Sequence, residues 1–172
     1  MSDEVFNISR GDSITGRNLM QLNRRKVLLL GATMPIVLGA ANAISAQGQS
    51  RVYAEDGVAI DGTDPVAYFT ENAPTAGSPE IVYDWMGATW RFATIENRAT
   101  FIANPTGYAP QFGGYCACAV SEGYTASTTP EAWKIVDGKL YLNYSRRIQR
   151  RWERDVPGNI AKGDANWPSV LG

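Results

Sequence analysis

The chain has 172 residues, with 16 Lys plus Arg against 17 Asp plus Glu, two cysteines and no histidine. That balance belongs to an ordinary folded protein and gives no global attraction for nucleic acid. The missing imidazole removes the usual general base and the commonest metal ligand, so Ser-His-Asp and Cys-His nucleophile systems, His-ligated zinc, His-bound haem and two-His iron sites are excluded.

Residues 1–23 are polar, Asn23-Arg24-Arg25-Lys26 leads into an apolar run from Val27 to Ala41, and Ala41-Asn42-Ala43 offers a small-x-small cleavage pattern. This layout predicts a signal peptide over residues 1–46, cut near Ala43. The run is interrupted by Pro35 and falls short of the roughly 20 apolar residues that a spanning helix needs; a retained anchor and the general secretory route are the alternatives. The paired arginines resemble a twin-arginine export signal, with Asn23 and Val27 standing where that signal usually has Ser or Thr and Phe. The resemblance implies a cargo folded before export, transient contact with the export machinery, and a periplasmic or otherwise exported location. Cleavage after Ala43 leaves a mature chain with three more acidic than basic residues.

A polar linker is expected over residues 47–56, and one domain over 57–168. Val58-Ala59-Ile60-Asp61 reads as a short strand. Asp64-Pro65 reads as an N-cap with proline at the first helical position, opening a short helix through Phe69. Thr70 to Pro79 is expected as loop. Ile81–Trp85 and Ala88–Ala93 alternate around Met86-Gly87, which predicts a hairpin. Thr94 then caps a helix from Ile95 to about Ala103, whose Ile95, Ala99 and Ile102 are expected to pack on that hairpin before Asn104-Pro105 stops it. Residues 106–121 do not declare an element. Trp133–Val136 and Lys139–Tyr144 flank Asp137-Gly138, the dipeptide of a type I′ turn. Ser145 caps a basic helix to about Asp155, and Pro157 opens a last one ending near Trp167-Pro168.

In order along the chain, Asp64-Pro65-Val66-Ala67-Tyr68-Phe69, Trp90-Arg91-Phe92-Ala93, Asn97, Phe101, Pro105, Tyr108, Gly113-Gly114-Tyr115-Cys116-Ala117, Asp137 through Ser145, and Trp152 resemble the YHS domain family, close to its exported subgroup. The resemblance covers about Gly57 to Trp167. It implies a small α+β domain of two hairpins packed with short helices. Relatives of the domain occur beside heavy-metal transport ATPases and in other metal-handling or oxygenase contexts, which implies metal binding, copper above all. Cys116 sits at the family's Gly-Gly-Tyr-Cys position. The family's namesake histidine is absent, and Cys118 departs from the aromatic or small residue more usual there.

Cys116-Ala117-Cys118, read as an extended segment, places two sulfurs on one side, where both approach a single soft cation. Copper(I) accepts two thiolates, whereas zinc prefers four donors. Packing as small buried hydrophobes and oxidation to a disulfide are the alternatives. Asp64, Met86, Tyr115 and Glu122 are candidate further ligands, although Asp64 also reads as a cap; Tyr108, Tyr115 and Tyr124 are candidate pocket walls. Arg146, Arg147, Arg150 and Arg151, followed by Arg154, form a basic helical face for an anionic partner or lipid head group, or a solvated face partly neutralised by Glu153 and Asp155. Trp152 is expected to point inward. No acid, base or nucleophile system is recognisable, nor a phosphate or dinucleotide loop. The expectation is a non-enzymatic, exported metal-binding or metal-handling domain, for copper, whose partners are a metal ion or a protein, including another copy of the chain. The alternative is a structural module that docks onto a partner complex with its cysteines buried.

Overall fold

Three tight turns shape the residues that the computed structural model describes, 49–172. Asp56-Gly57, Met86-Gly87 and Asp137-Gly138 hold both residues at positive φ, between 49° and 80°, a conformation that suits the right-handed twist of paired strands. The first joins β1 (Ala54–Glu55) to β2 (Val58–Ala59), the second β3 (Ser78–Trp85) to β4 (Ala88–Phe92), and the third β5 (Thr129–Val136) to β6 (Lys139–Asn143). Because β2 also pairs with β4 in parallel, the first four strands make one sheet in the order β1-β2-β4-β3, while β5 and β6 stand as a separate pair. The helices are α1 (Ala67–Thr70), α2 (Ile95–Ala103), α3 (Pro105–Tyr108), α4 (Ala117–Ser121), α5 (Arg146–Trp152) and α6 (Val156–Asn166). This is the α+β class expected from the sequence. The expected signal peptide and its cleavage position lie outside the described residues. Part of the expected linker belongs to the domain, since Val52 is buried and β1 begins at Ala54.

Strand β6 divides the interior in two. Its Leu140 and Leu142 join a cluster with Trp90, Phe92, Phe101 and Tyr68, while the alternate residue Tyr141 joins Phe112, Cys116, Val120 and Trp152. A strand sends successive side chains to opposite faces, and with both faces covered β6 is buried from Leu140 to Asn143. The same alternation sends Asn143 to the Tyr141 side, where its amide meets Cys116 and the backbone of Cys118.

Thr94 caps α2 as expected, accepting from the Asn97 amide at 3.0 Å. The helix nevertheless turns a different face inward: Ile95 is 60% and Ile102 44% exposed, while Phe101 is fully buried. The phase is set by Asn97 and Phe101, four residues apart. Asn97 donates to the Asp64 carboxylate at 2.7 Å, and the Phe101 ring meets Trp85, Trp90 and Phe92 at centroid distances of 5.2–5.6 Å. The Phe101 ring gains edge and tilted contacts with three other rings that aliphatic side chains cannot make, and the hydrogen bond fixes the choice.

At the other end of the domain, Asp155 caps α6 by accepting from the Gly158 amide at 3.0 Å, and Gly163 of α6 lies against the Phe112 ring, where an added Cβ would come within 2.5 Å of Cζ. Alanine within a helix ordinarily gains about 1 kcal/mol over glycine. Here overpacking a buried ring outweighs that gain, and Gly163→Ala is expected to destabilise by about 1–2 kcal/mol. Urea unfolding of the two proteins checks the sign.

Candidate functional site

Residues 111–121, the stretch with no element declared by sequence, carry the candidate site. Phe112, Gly113 and Gly114 are all left-handed, at φ 55°, 61° and 87°, and turn the chain back on itself. Gly113 is required there, because a Cβ would lie 1.9 Å from the Arg51 carbonyl oxygen. The chain leaves this turn through Tyr115, whose hydroxyl donates to the Ser50 carbonyl at 2.8 Å, and places Cys116 as the residue before α4. The Cys116 amide donates to the Ala126 carbonyl at 3.0 Å, and its carbonyl accepts from the Val120 amide at 3.0 Å, starting the helix.

The Cys-x-Cys pair therefore spans a helix start and not an extended segment, and the expected strand-like alignment of the sulfurs is corrected: Cys116 is the cap residue and Cys118 lies in the first turn. Both cysteines still border one pocket of about 200 Å³, together with Tyr124, Tyr144, Ile148 and Arg151. Cys116 Sγ accepts from the Tyr144 amide at 3.2 Å and lies 3.8 Å from Asn143 Oδ1. The same oxygen accepts from the Cys118 amide at 3.2 Å, while Asn143 Nδ2 is buried with no partner among the described residues. Burial pushes the Cys116 thiol up, against the pull of backbone N–H groups from Ala119, Tyr144 and Cys118. Burial is also the main cause that raises Cys118, with Cys116 and Glu122 adding to it and Arg151 opposing. Both groups are neutral thiols near pH 7, so a cation that binds them must displace protons.

Asp64 is not part of this pocket. Its side chain is completely buried and both oxygens are taken: Oδ1 accepts from the amides of Val66 and Ala67 at 2.8 and 3.3 Å, and Oδ2 from the Ala93 amide and Asn97 Nδ2 at 2.8 and 2.7 Å. With four donors on two oxygens it is a buried structural acceptor, which corrects its candidacy as a ligand; the helix starts later than expected, at Ala67 with Val66 as its cap residue, and Asp64 holds the turn that leads into it. Met86 sits in a hairpin turn away from the thiols, Tyr115 packs on Tyr53, and Tyr108 on Phe69. Of the three candidate tyrosine walls, Tyr124 alone lines the thiol pocket.

The basic face of α5 is exposed at Arg146, Arg147, Arg150 and Arg151, and Trp152 points inward as expected. The acids expected to neutralise it act elsewhere: Glu153 pairs with Lys134 at 3.1 Å, and Asp155 caps α6. Glu122 supplies the neutralisation instead, meeting Arg151 at 2.5 Å beside the thiol pocket.

Sequence reasoning missed Tyr144 and Ile148 as pocket residues, and Asn143 as the buried amide behind the cysteines. A trace of Asn143 was present, since it ends the run Leu140-Tyr141-Leu142 with a polar side chain in a strand buried on both faces. Among the described residues no group of three or more His, Cys, Asp or Glu converges on a point, so the donor set is two sulfurs with phenols and an arginine at the rim. Such a set suits a soft cation of low coordination number and not a four-coordinate one. Comparison of the chain with known family models, curated proteins and solved structures returns no match.

Proposed function

We propose that the domain is a non-enzymatic, exported metal-handling module that takes copper(I) as cargo between Cys116 and Cys118. The observation that supports it most is that two cysteines two residues apart, placed on a helix start where they need not meet, border one pocket. Softness matches, because copper(I) is content with two thiolates. Tyr124 and Tyr144, about half exposed, leave the mouth open to a donor, and the resemblance of the chain to YHS domains and to twin-arginine signals gives the setting: copper delivered outside the cytoplasm.

Anaerobic copper(I) titration against a chromophoric chelator tests this. One equivalent per chain is expected, lost on Cys116→Ser and on Cys118→Ser. Because two thiol protons leave on binding, apparent affinity should rise by about a hundredfold per pH unit below the thiol range. No uptake, or uptake that survives in the double serine variant, overturns the proposal.

A second reading has its own support in the burial of the thiols, 1% and 5% exposed, beside the exposed arginines of α5: a docking module for an anionic partner, with the cysteines as packing. Native cysteines that resist alkylation while copper uptake stays at background favour it.

A further inference from the structure

A larger cavity lies away from the thiols, between the tips of the β3–β4 and β5–β6 hairpins, and encloses about 550 Å³. It shares no lining residue with the thiol pocket. We infer that this cleft is a binding site for a planar aromatic ligand that carries a negative charge.

Its walls are rings held in place from behind. Trp85 and Trp90 lie 5.8 Å apart, centroid to centroid, Phe112 and Trp167 lie 6.0 Å apart, and all four border the cleft. Trp90 Nε1 donates to the Trp85 carbonyl at 3.1 Å, which locks the buried Trp90 indole behind the cleft, while the partly exposed Trp85 and Trp167 border it. Phe112 is clamped by Gly163 on the far side. Rings fixed before a ligand arrives lose little freedom on binding, and offset or edge contacts favour a flat aromatic guest over a branched aliphatic one.

The rim supplies the charge preference. Arg51 and Lys139 are both exposed and border the cleft, neither has an ion-pair partner among the described residues, and Asp137 is the acid beside them. An excess of one cation at the mouth of an apolar cleft selects an anion. The backbone points the same way. Met86, Phe112 and Asp137 all border the cleft at φ between 50° and 55°, a region costly for residues with side chains. All three are turn positions, and the turn at Phe112 brings its ring to the border of the cleft; strain of this kind concentrates at binding sites.

The probe is 8-anilinonaphthalene-1-sulfonate, titrated into the purified protein under conditions where near-ultraviolet circular dichroism reports a native fold, with tryptophan emission as a second readout. Saturable binding at one site is expected. Thr106→Trp, at an exposed position that borders the cleft, should fill it and weaken binding at least tenfold. Lys139→Glu should weaken it several-fold, and the uncharged analogue N-phenyl-1-naphthylamine should bind less well than the sulfonate. Cys116→Ser should bind as wild type does, which separates this site from the copper proposal. Binding that does not saturate, or that Thr106→Trp leaves unchanged, overturns the site, and equal affinity for the uncharged analogue overturns the charge assignment.

Discussion

Asp64→Ala is expected to lower the stability of the domain by about 4 kcal/mol, the largest effect of any single substitution considered. The carboxylate has no exposed surface, and four donors converge on it at 2.7–3.3 Å from Val66, Ala67, Ala93 and Asn97. Hydrogen bonds to a charged acceptor contribute about 1.5–3 kcal/mol each and do not add fully; stranding several buried donors at once sets the scale. Three parts of the fold hang on this one group: the first turn toward α1, the end of β4 and the phase of α2. Asp64→Asn preserves the shape but turns an amide N–H toward donors, so it should cost about half as much. Denaturant unfolding measures both. A loss below about 1 kcal/mol for the alanine variant would show that water or repacking satisfies these donors. Because Asp64 lies outside the thiol pocket, folded Asp64→Asn should take up copper as wild type does, whereas a metal ligand at this position would lose uptake.

The elements that announced themselves were those with local chemistry. Met86-Gly87 and Asp137-Gly138 sit between alternating strands and form the turns expected of them; Thr94 and Ser145 cap the helices that follow them. Asp56-Gly57 makes the same kind of turn but escaped notice, because its strands are two residues each and carry no alternation to read. The inward face of α2 was misjudged because spacing alone weighs Ile95, Ala99 and Ile102 equally with Asn97 and Phe101, and the partner that decides, Asp64, is 33 residues away. The candidate site was legible as two residues and no more. Cys116 and Cys118 stand out by rarity, yet their helical placement depends on three successive left-handed residues and on a strand from elsewhere in the chain, neither of which periodicity encodes. The aromatic cleft gave no sign at all. Nothing in the spacing of Trp85, Trp90, Phe112 and Trp167 sets them apart, and only the fold brings them to the border of one cleft with the tips of two hairpins.

Asn143 supplies the second large effect, and it separates a built thiol site from ordinary packing. Its side chain is fully buried, its oxygen accepts from the Cys118 amide at 3.2 Å and faces Cys116 Sγ, and its Nδ2 has no partner among the described residues. Asn143→Ala removes the acceptor from a buried N–H and leaves a small void, which together should cost about 3 kcal/mol. Asn143→Leu fills the space and also removes the orphaned Nδ2, so its expected cost falls to about 1–2 kcal/mol, set by the stranded Cys118 amide. Were Asn143 merely filling volume, leucine would be neutral. The copper readout goes further: Asn143→Leu stays folded and keeps both sulfurs, but the start of α4 loses the contact that ties it to β6, so copper(I) affinity should drop at least tenfold while one-to-one stoichiometry persists. Unchanged affinity in folded Asn143→Leu would mean that the sulfurs do not depend on this amide for their placement, and that the unpaired nitrogen beside them belongs to the packing of β6 alone.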